Sequence, residues 1–268
     1  MRWLLLSFLF LLVFQLFGQQ QLPGNQNIYD AQGPGFIYDK ETTFHFGLAT
    51  PRNLQLGVKF ATTETYFKSK FISFELGDIR HSRELRSNFE RIIIATNRVS
   101  RPFIYGKQNQ LYVLRASFGN RIYVSEKAKQ RGVAIGYSWQ IGPSIGLLKP
   151  YYLEIETGEV INSGTVRDIR YSEEMQELFL DRFRIFGASS WSRGLDEIQF
   201  VPGIHAKASM HFGFGAFDEL AKSFEVGIQG DFFFGDVPIL VESDLTPGVT
   251  NSNLYLGLFM QMQIGKRY

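Results

Sequence analysis

The last residues of the chain, "NLYLGLFMQMQIGKRY" (Asn253–Tyr268), alternate between two kinds of side chain. Small and polar residues such as Gly257, Gln261 and Gln263 fall between large apolar ones. A repeat of two residues is typical of a β-strand whose two faces meet different environments. The stretch therefore predicts a strand with one continuous apolar face. That face consists of Leu254, Leu256, Leu258, Met260, Met262 and Ile264.

The same alternation recurs at 43–49, 54–61, 132–142, 151–156, 200–212 and 224–234. The face opposite the apolar one carries charges, amides and many glycines, for example Lys59, Glu225 and Gly227. This pattern is typical of a barrel with lipid outside and a polar interior. A soluble sandwich or lipocalin reverses the arrangement, and alternation alone does not separate the two classes. The aromatic content of 15%, the N-terminal segment and the terminal strand favour the membrane barrel.

The N-terminal segment, "MRWLLLSFLFLLVFQLFGQQQ", has the order of regions found in a secretory signal peptide. Arg2 precedes an apolar stretch that is shorter than the roughly 20 residues of a membrane-spanning helix. The alternative is a short membrane anchor. We expect cleavage near Gly18 or Gln19, which gives a signal peptide at 1–19, a periplasmic segment at 20–40 and a barrel at 41–268.

Composition excludes several classes of protein. Lys and Arg total 28 against 26 Asp and Glu, so the charge gives no reason to expect a nucleic-acid partner. The chain has no Cys, which excludes disulfides and a lipoprotein anchor. No cofactor is predicted.

The predicted fold is all-β: a closed antiparallel up-and-down transmembrane β-barrel. An even strand number places both termini on the periplasmic side, with long outer loops and short periplasmic links. The predicted periplasmic links are 63–65, 119–120, 143–146 and 215–222. We predict ten strands, and eight is the alternative. Their approximate bounds are 41–50, 53–62, 66–77, 102–118, 121–126, 131–142, 147–157, 198–214, 223–234 and 252–265.

The predicted links support this topology. The segments 78–101, 158–197 and 235–251 are long and all fall outside, together with the short links 51–52 and 127–130. Within 158–197, "SEEMQELFLDRF" predicts a short surface helix that has Ser172 as its N-cap.

Two strands break the alternation. In 67–76, Phe67 and Phe71 occupy odd-numbered positions, whereas the other large apolar residues occupy even-numbered ones and would face the opposite side. These are Ile72, Phe74 and Leu76. In 103–118 the parity also changes along the stretch. A bulge or a break in each would restore the pattern.

The terminal strand also carries an expected assembly signal. An outer-membrane barrel typically ends in an aromatic residue with apolar residues alternating behind it. Met260, Met262, Ile264 and Tyr268 fit that signal, whereas Lys266 departs from it. We expect Lys266 and Arg267 to lie at the level of the lipid headgroups.

Alternation directs His45, His205 and His211 into the barrel, together with Ser209. A hydrolase with a His–Ser pair is one interpretation. A histidine bound to a neighbouring carboxylate is the favoured one, because His205 and Ser209 are roughly 13 Å apart along one strand. No GxSxG, HExxH or CxxC motif is present. No catalytic or metal site is predicted, although His205, His211 and Glu225 are a conceivable metal set.

The predicted lumen contains charges of both signs in similar number. Buried charges are tolerated only when they are paired and hydrogen-bonded, so we expect a salt-bridged plug rather than a wide pore. The inward set is Lys59, Arg115, Glu154, Glu156, Lys207, Glu225, Gln229, Asp231, Gln261 and Gln263.

The loop at 78–101 is rich in arginine. Arginine forks suit phosphate and carboxylate groups, so we expect Arg80, Arg83 and Arg86 to contact lipopolysaccharide phosphates or an acidic partner. The alternative is that these side chains are solvated or paired with acids of the same loop.

Several segments resemble an uncharacterised outer-membrane β-barrel family of the Bacteroidota that is broadly similar to PorT-type barrels. They are "LGDIRHSRE" (76–84), "YGKQNQLYVLR" (105–115), "GPSIGLLKPYYLEI" (142–155), "WSRGLDEIQFVPGIHAKA" (191–208) and "IGKRY" (264–268). The resemblance implies a barrel in the outer membrane of a Gram-negative bacterium. PorT-type proteins take part in the type IX secretion apparatus, and extending that role here is an analogy from fold.

We therefore expect a non-catalytic structural or accessory subunit of an envelope or secretion assembly. The alternatives are a narrow channel or ligand-specific transporter and, third, a lumen-facing hydrolase. Expected partners are outer-membrane lipid and lipopolysaccharide, the barrel-assembly machinery and other envelope proteins.

Overall fold

The computed structural model describes residues 38–65, 67–88, 92–93, 98–124, 133–157, 166–215 and 218–268. The expected signal peptide at 1–19 lies outside the described residues, as does most of the expected segment at 20–40. Among the described residues, no helix has the length and apolar character needed to cross a bilayer.

Eight long strands form the body of the protein, and we number them in chain order. They are β1 (Lys40–Ala49), β2 (Asn53–Thr65), β3 (Lys68–Ile79), β4 (Asn109–Tyr123), β5 (Val133–Pro150), β6 (Gln199–Phe214), β7 (Leu220–Phe233) and β8 (Leu254–Arg267).

The eight strands close into an antiparallel barrel in which each strand pairs with its neighbours in sequence. β1 and β8 close the ring, with Phe44 opposite Ile264. Lys40 and Tyr268 extend this pairing, because each backbone N–H donates to the other's carbonyl at 2.9 Å. The terminal strand therefore has a partner on both sides, and the barrel has no free edge.

The structure confirms the fold class, and its barrel has eight strands, the alternative number. The preferred prediction of ten strands is wrong, since the glycine-containing stretches 119–120 and 143–146 lie inside β4 and β5. A Cβ on Gly119 would lie 2.2 Å from the carbonyl oxygen of Trp139 on the next strand. Gly119 therefore allows two backbones to approach closely within the sheet and does not mark a turn.

The predicted alternation is confirmed along the barrel. On β8, Leu256 is 75% exposed on the outer wall, whereas Gln261 is 1% exposed inside. The same division holds on β1, where Phe44 and Phe46 face outward and His45 is buried. A closed barrel with an apolar outer wall and a polar interior is a transmembrane β-barrel of the outer-membrane type.

The two irregular stretches have different explanations. β3 pairs with β4 without interruption from Lys68 to Ile79, and the irregularity lies instead in its pairing with β2, where the register shifts between Thr63 and Thr65. Phe71 simply points into the lumen, where it is buried. The break expected within 103–118 is confirmed, because the short strand Phe103–Ile104 ends before β4, and Gly106 between them has a φ of 67°.

The links divide between the two ends of the barrel as the prediction requires. Both termini of the barrel and the links β2–β3, β4–β5 and β6–β7 lie at one end. The three long links, 80–108, 151–198 and 234–253, start and finish at the other. The segment 127–130, which was expected outside, lies outside the described residues.

The long links form a cap with its own secondary structure. The strand Tyr152–Glu156 lies between Val166–Arg170 and Ile185–Ala188 in a three-stranded sheet. Two short ladders join Arg86–Ser87 to Phe103–Ile104 and Ile92–Ile93 to Arg98–Val99. The expected helix exists as a 3₁₀ turn, Glu173–Met175, followed by α1 (Gln176–Phe179), and Ser172 precedes it without a side-chain capping bond.

The cap encloses an apolar core of its own. Its buried members come from each of the three long links, which explains why these segments fold together rather than extending separately. They are Phe103, Leu153, Ile155, Phe179, Leu180, Ile185 and Val241.

Candidate functional site: the charged barrel lumen

Three buried carboxylates organise the lumen. Glu75 projects from β3, and Glu225 and Asp231 project from β7. Each contacts one histidine and at least one cationic side chain. The lumen therefore contains three similar clusters, each of a carboxylate, an imidazole and a cation.

Asp231 is bound by Arg115 in a two-pronged ion pair, with Nε at 2.8 Å and the second nitrogen at 2.9 Å. The Nδ1 of His205 lies 2.9 Å from the same carboxylate. The planar guanidinium matches the two carboxylate oxygens, which makes this geometry stronger and more directional than a single contact.

Glu75 accepts hydrogen bonds from Lys207 at 2.5 Å and from Gln140 at 3.1 Å. His45 Nε2 lies 3.4 Å away. A further guanidinium nitrogen of Arg115 is 3.8 Å from Glu75, so Arg115 connects this cluster to that of Asp231.

Glu225 is contacted by four side chains. Lys59 Nζ lies 3.2 Å from both of its oxygens, Gln261 donates at 2.5 Å, and His211 Nδ1 is 2.9 Å away. Arg121 lies 3.6 Å from the same group. Removing Glu225 would therefore leave two cations without their shared counter-charge.

Arg121 carries the network to the end of the barrel where the termini lie. It donates to Glu41 at 3.1 Å, and Arg267 donates to the other oxygen of Glu41 at 2.9 Å. Arg267 was expected at the headgroup level, but the strand's alternation turns its side chain inward. Lys266, the outward neighbour, pairs with Glu219 at 2.7 Å.

Two aromatic rings shield lumen lysines. Lys59 Nζ lies 4.4 Å from the ring centre of Phe71, and Lys207 Nζ lies 4.8 Å from that of Phe259. A cation over a ring face gains electrostatic stabilisation that partly offsets its lost hydration. The sequence gives no sign of this arrangement, because both rings fall on the face expected to be polar.

An apolar cluster closes the lumen at the cap end. Phe233 of β7 is 0% exposed at its centre, and the link 234–253 folds back to contribute three further side chains. The charged interior therefore ends in a dry layer rather than an open mouth. The buried members are Ile79, Leu111, Val113, Leu148, Val201, Phe233, Val237, Ile239 and Leu240.

Most of the predicted inward residues are buried in the lumen as expected: Lys59, Arg115, Lys207, Glu225, Gln229, Asp231, Gln261 and Gln263. Glu154 and Glu156 are exceptions, because their strand belongs to the cap sheet. Sequence reasoning missed Glu75, although it alternates with Phe74 and Leu76. It missed Arg121 because the strand was cut at 119–120.

The three inward histidines contact carboxylates, as the favoured interpretation predicted. Ser209 lies 2.7 Å from Ser138 across the strand pair, oxygen to oxygen. His205 and His211 are six residues apart on β6, roughly 20 Å, and serve different clusters. Within the described residues, no group of three or more histidine and acidic side chains could hold a metal ion.

The three arginines singled out in the cap have different surroundings. Arg80 donates to Asp78 at 2.7 Å, and Arg83 donates to the carbonyl of Pro247 at 3.1 Å on another link. Arg86 is exposed on the Arg86–Ser87 strand. Contact with lipopolysaccharide or an acidic partner stays a prediction, and Arg86 is accessible to such a partner because it is exposed.

A buried ion pair joins two parts of the link 80–108. Lys107 Nζ lies 2.8 Å from Glu84, and both side chains are buried. Burial lowers the pKa of Lys107, and Glu84 opposes that shift. The backbone N–H of His81 also donates to Glu84, and Arg52 donates to the carbonyl oxygen of Glu84 at 2.7 Å. These bonds fix the cap to the barrel rim near the β1–β2 turn.

The residues of the expected assembly signal, Met260, Met262, Ile264 and Tyr268, are all exposed on the outer wall. Tyr268 also lies 3.2 Å from Thr42 through its hydroxyl. Their recognition by assembly machinery stays a prediction.

Comparison with known proteins gives few matches. No protein-family model and no curated protein matches the chain. A structure of Ail, the attachment invasion locus protein of Yersinia pestis, in complex with the heparin analogue sucrose octasulfate, aligns with a TM-score of 0.38 and 8% identity over 86% of this chain and 99% of that chain. A second structure of Ail gives 0.36 and 7% over the same shares.

Proposed function

We propose that this chain is an outer-membrane barrel that acts as a non-catalytic, non-conducting accessory subunit of an envelope assembly, and that it presents its cap to a partner protein. The observation that carries the proposal is the double closure of the lumen. Ion pairs fill the interior, and an apolar layer seals it at the cap end.

The filled lumen favours this proposal over a channel. The cationic side chains of Lys59, Lys207, Arg115 and Arg121 are buried and each lies within 4 Å of a carboxylate. An ion that passed through would have to displace these pairs in a narrow interior. The histidines are engaged in the same clusters, which supports a structural role for them.

The cap supports an interaction role. A link that serves only to connect two strands can be short, as the three-residue connection 50–52 between β1 and β2 is. The three long links instead build a sheet, a helix and an apolar core. Folded extramembrane structure on a rigid barrel is the usual setting for recognition.

The finer proposal follows the sequence resemblance to PorT-type barrels, and it names a secretion apparatus as the assembly. The barrel needs no catalytic activity in that role, because it contributes a fixed membrane anchor and a docking face.

Conductance separates the proposal from the channel alternative. In planar bilayers the purified wild-type barrel is expected to give no discrete current steps, because the lumen is filled by paired charges and sealed by Phe233 and its neighbours. A porin measured in the same bilayers is the positive control. Regular unit steps from the wild-type chain would contradict the non-conducting role.

A single introduced cysteine tests orientation and docking, since the native chain has none. Arg86→Cys on the cap is expected to react with a membrane-impermeant maleimide on intact cells. A photo-crosslinker attached there is expected to capture one envelope protein reproducibly. Lys266→Cys, exposed at the opposite rim, is the matched control and should do neither. Labelling of Lys266→Cys but not Arg86→Cys would reverse the orientation, and the absence of any cross-link from the cap would contradict the docking role.

A further inference from the structure

Among the described residues, Lys149 is a buried cation that has no carboxylate beside it. It belongs to the outward-facing set of β5, two residues after Leu147, and is 3% exposed. Lys59, Lys107 and Lys207 are equally buried, and each contacts an acid. In the part of the chain that the structure describes, Lys149 forms no ion pair. Its ammonium faces the ring of Trp191, 5.4 Å from the ring centre.

Trp191 belongs to the cap but lies against the outer wall of the barrel. Its indole nitrogen donates to the hydroxyl of Tyr112 at 2.8 Å, and Tyr112 is outward-facing on β4. Gly194, with a φ of 75°, brings the same segment close to Pro150 and Tyr152, where a Cβ would lie 3.1 Å from both. The cap segment that carries Trp191 therefore reaches the outer side of β4 and β5.

The height of this contact is set by the strand register. Tyr112 pairs with Leu147, and Leu147 pairs with Phe200, so the three lie in one row across β4, β5 and β6. Phe200 is 72% exposed on that row. One step further along the wall, Leu114 and Ile145 are exposed apolar residues. The row therefore marks the upper boundary of the lipid-facing surface, where aromatic residues are enriched in membrane proteins.

The other charges near this segment are already compensated. Arg193 pairs with Asp168 at 3.0 Å, and Arg170 pairs with Glu197. Lys149 is the cation that these acids leave unmatched. The side chain of Lys149 is nearly buried, and among the described residues no acid compensates its charge. An anion supplied from outside the chain would provide that compensation.

We propose that Lys149 and Trp191 form a binding site for the phosphate of an outer-leaflet lipid. The phosphate binds the ammonium of Lys149 at the headgroup level, and Trp191 packs against the lipid at the boundary. The acyl chains lie along the apolar wall below the row, over Leu114 and Ile145. A soluble phosphate would use the ammonium alone, whereas a lipid also uses the exposed indole of Trp191 and the adjoining apolar surface. That combination is the reason for assigning a lipid.

The test measures lipid retention by native mass spectrometry of the purified barrel in mild detergent. The probes are bis-phosphorylated lipid A, dephosphorylated lipid A and inorganic phosphate. Wild type is expected to retain phosphorylated lipid A. Lys149→Gln and Trp191→Ala are each expected to weaken retention by about tenfold or more, as the loss of a charge-assisted contact or of a large packing surface implies. Lys149→Arg should retain binding.

Lys266→Gln, a basic residue at the opposite rim, is the matched control and should bind as wild type does. The different gel mobilities of unheated and heated samples report whether each variant is folded. Trp191 is 62% exposed, so its replacement should not disturb folding and tests the site even if Lys149→Gln does not fold. Equal retention by Trp191→Ala and wild type, or equal retention of dephosphorylated lipid A, would overturn the proposal. Competition by inorganic phosphate at the same concentration would assign the site to free phosphate instead.

Discussion

Replacing Glu225 with Ala is expected to destabilise the barrel by about 3–5 kcal/mol, the range for removing one partner of a buried ion pair. Glu225 is 1% exposed and accepts contacts from Lys59, His211 and Gln261. Its loss leaves the ammonium of Lys59 buried without its counter-charge. Water in this narrow interior would compensate that charge less well than the carboxylate does. The measurement is urea unfolding of the barrel reconstituted in lipid, followed by tryptophan fluorescence.

The matched control for Glu225→Ala is Glu64→Ala. Glu64 also contacts two lysines, Lys68 and Lys70, but all three side chains are substantially exposed. Exposed pairs contribute little because water and salt already screen them, so the expected loss is much smaller than that of Glu225→Ala. Equal losses from the two variants would mean that burial adds nothing to the lumen pairs, and the ion-pair plug would have to be abandoned.

A double-mutant cycle separates pairing from packing. If Lys59 and Glu225 act as a pair, Lys59→Ala with Glu225→Ala should cost clearly less than the sum of the two single changes. Arg121 limits the recovery, because it also lies 3.6 Å from Glu225 and loses that carboxylate in both variants that lack Glu225. Additive losses would indicate that Lys59 is held mainly by Phe71.

The outer wall could be predicted because the bilayer imposes a simple rule on each strand. Met260 and Met262 face lipid because period two fixes the direction of every side chain once one is known. The same rule placed His205, His211 and Glu225 inside. It says nothing about which inward charge meets which, because those contacts cross the lumen between strands distant in sequence, as Lys59 and Glu225 do over 166 positions.

The errors arise where one signal has two physical meanings. Gly119 predicts a turn, yet it lies within β4. A glycine is needed there because the backbone of Trp139 leaves no room for a Cβ. Leu153 and Ile155 alternate as barrel residues do, but both are buried in the cap core. Alternation reports a two-sided strand and does not reveal whether lipid or a protein core covers its apolar side.

The lipid site was outside the reach of sequence reasoning for a related reason. Lys149 precedes Pro150 in a stretch with no binding motif, and a lysine near a strand end is ordinary. Its lack of a carboxylate becomes visible only when the cap segment with Trp191 is placed against β4 and β5. The arginines of 78–101 gave the stronger sequence signal, although two of them are engaged within the protein.

Phe233→Ala is the second change with a large expected effect, because the ring lies at the centre of the apolar layer beneath the cap. Gly146 and Gly203 make room for it, since a Cβ on either would lie 2.9 Å from the ring. The ring also meets Tyr255 edge to face, with centroids 6.1 Å apart. Truncation leaves a cavity that these rigid strands cannot close. The expected loss is about 3–5 kcal/mol in the same unfolding assay.

Phe234 provides a control one residue away. It is 64% exposed, on the opposite side of the chain from Phe233. Phe234→Ala removes the same atoms but leaves no internal cavity, so its effect on unfolding should be much smaller. Phe233→Ala should also speed proteolysis within 234–253, since Val237, Ile239 and Leu240 of that link pack in the same cluster. If both variants unfold alike and the link is cut no faster, the apolar layer does not hold the cap to the barrel. The position of the cap would then depend on its own apolar core and on its hydrogen bonds to the barrel rim.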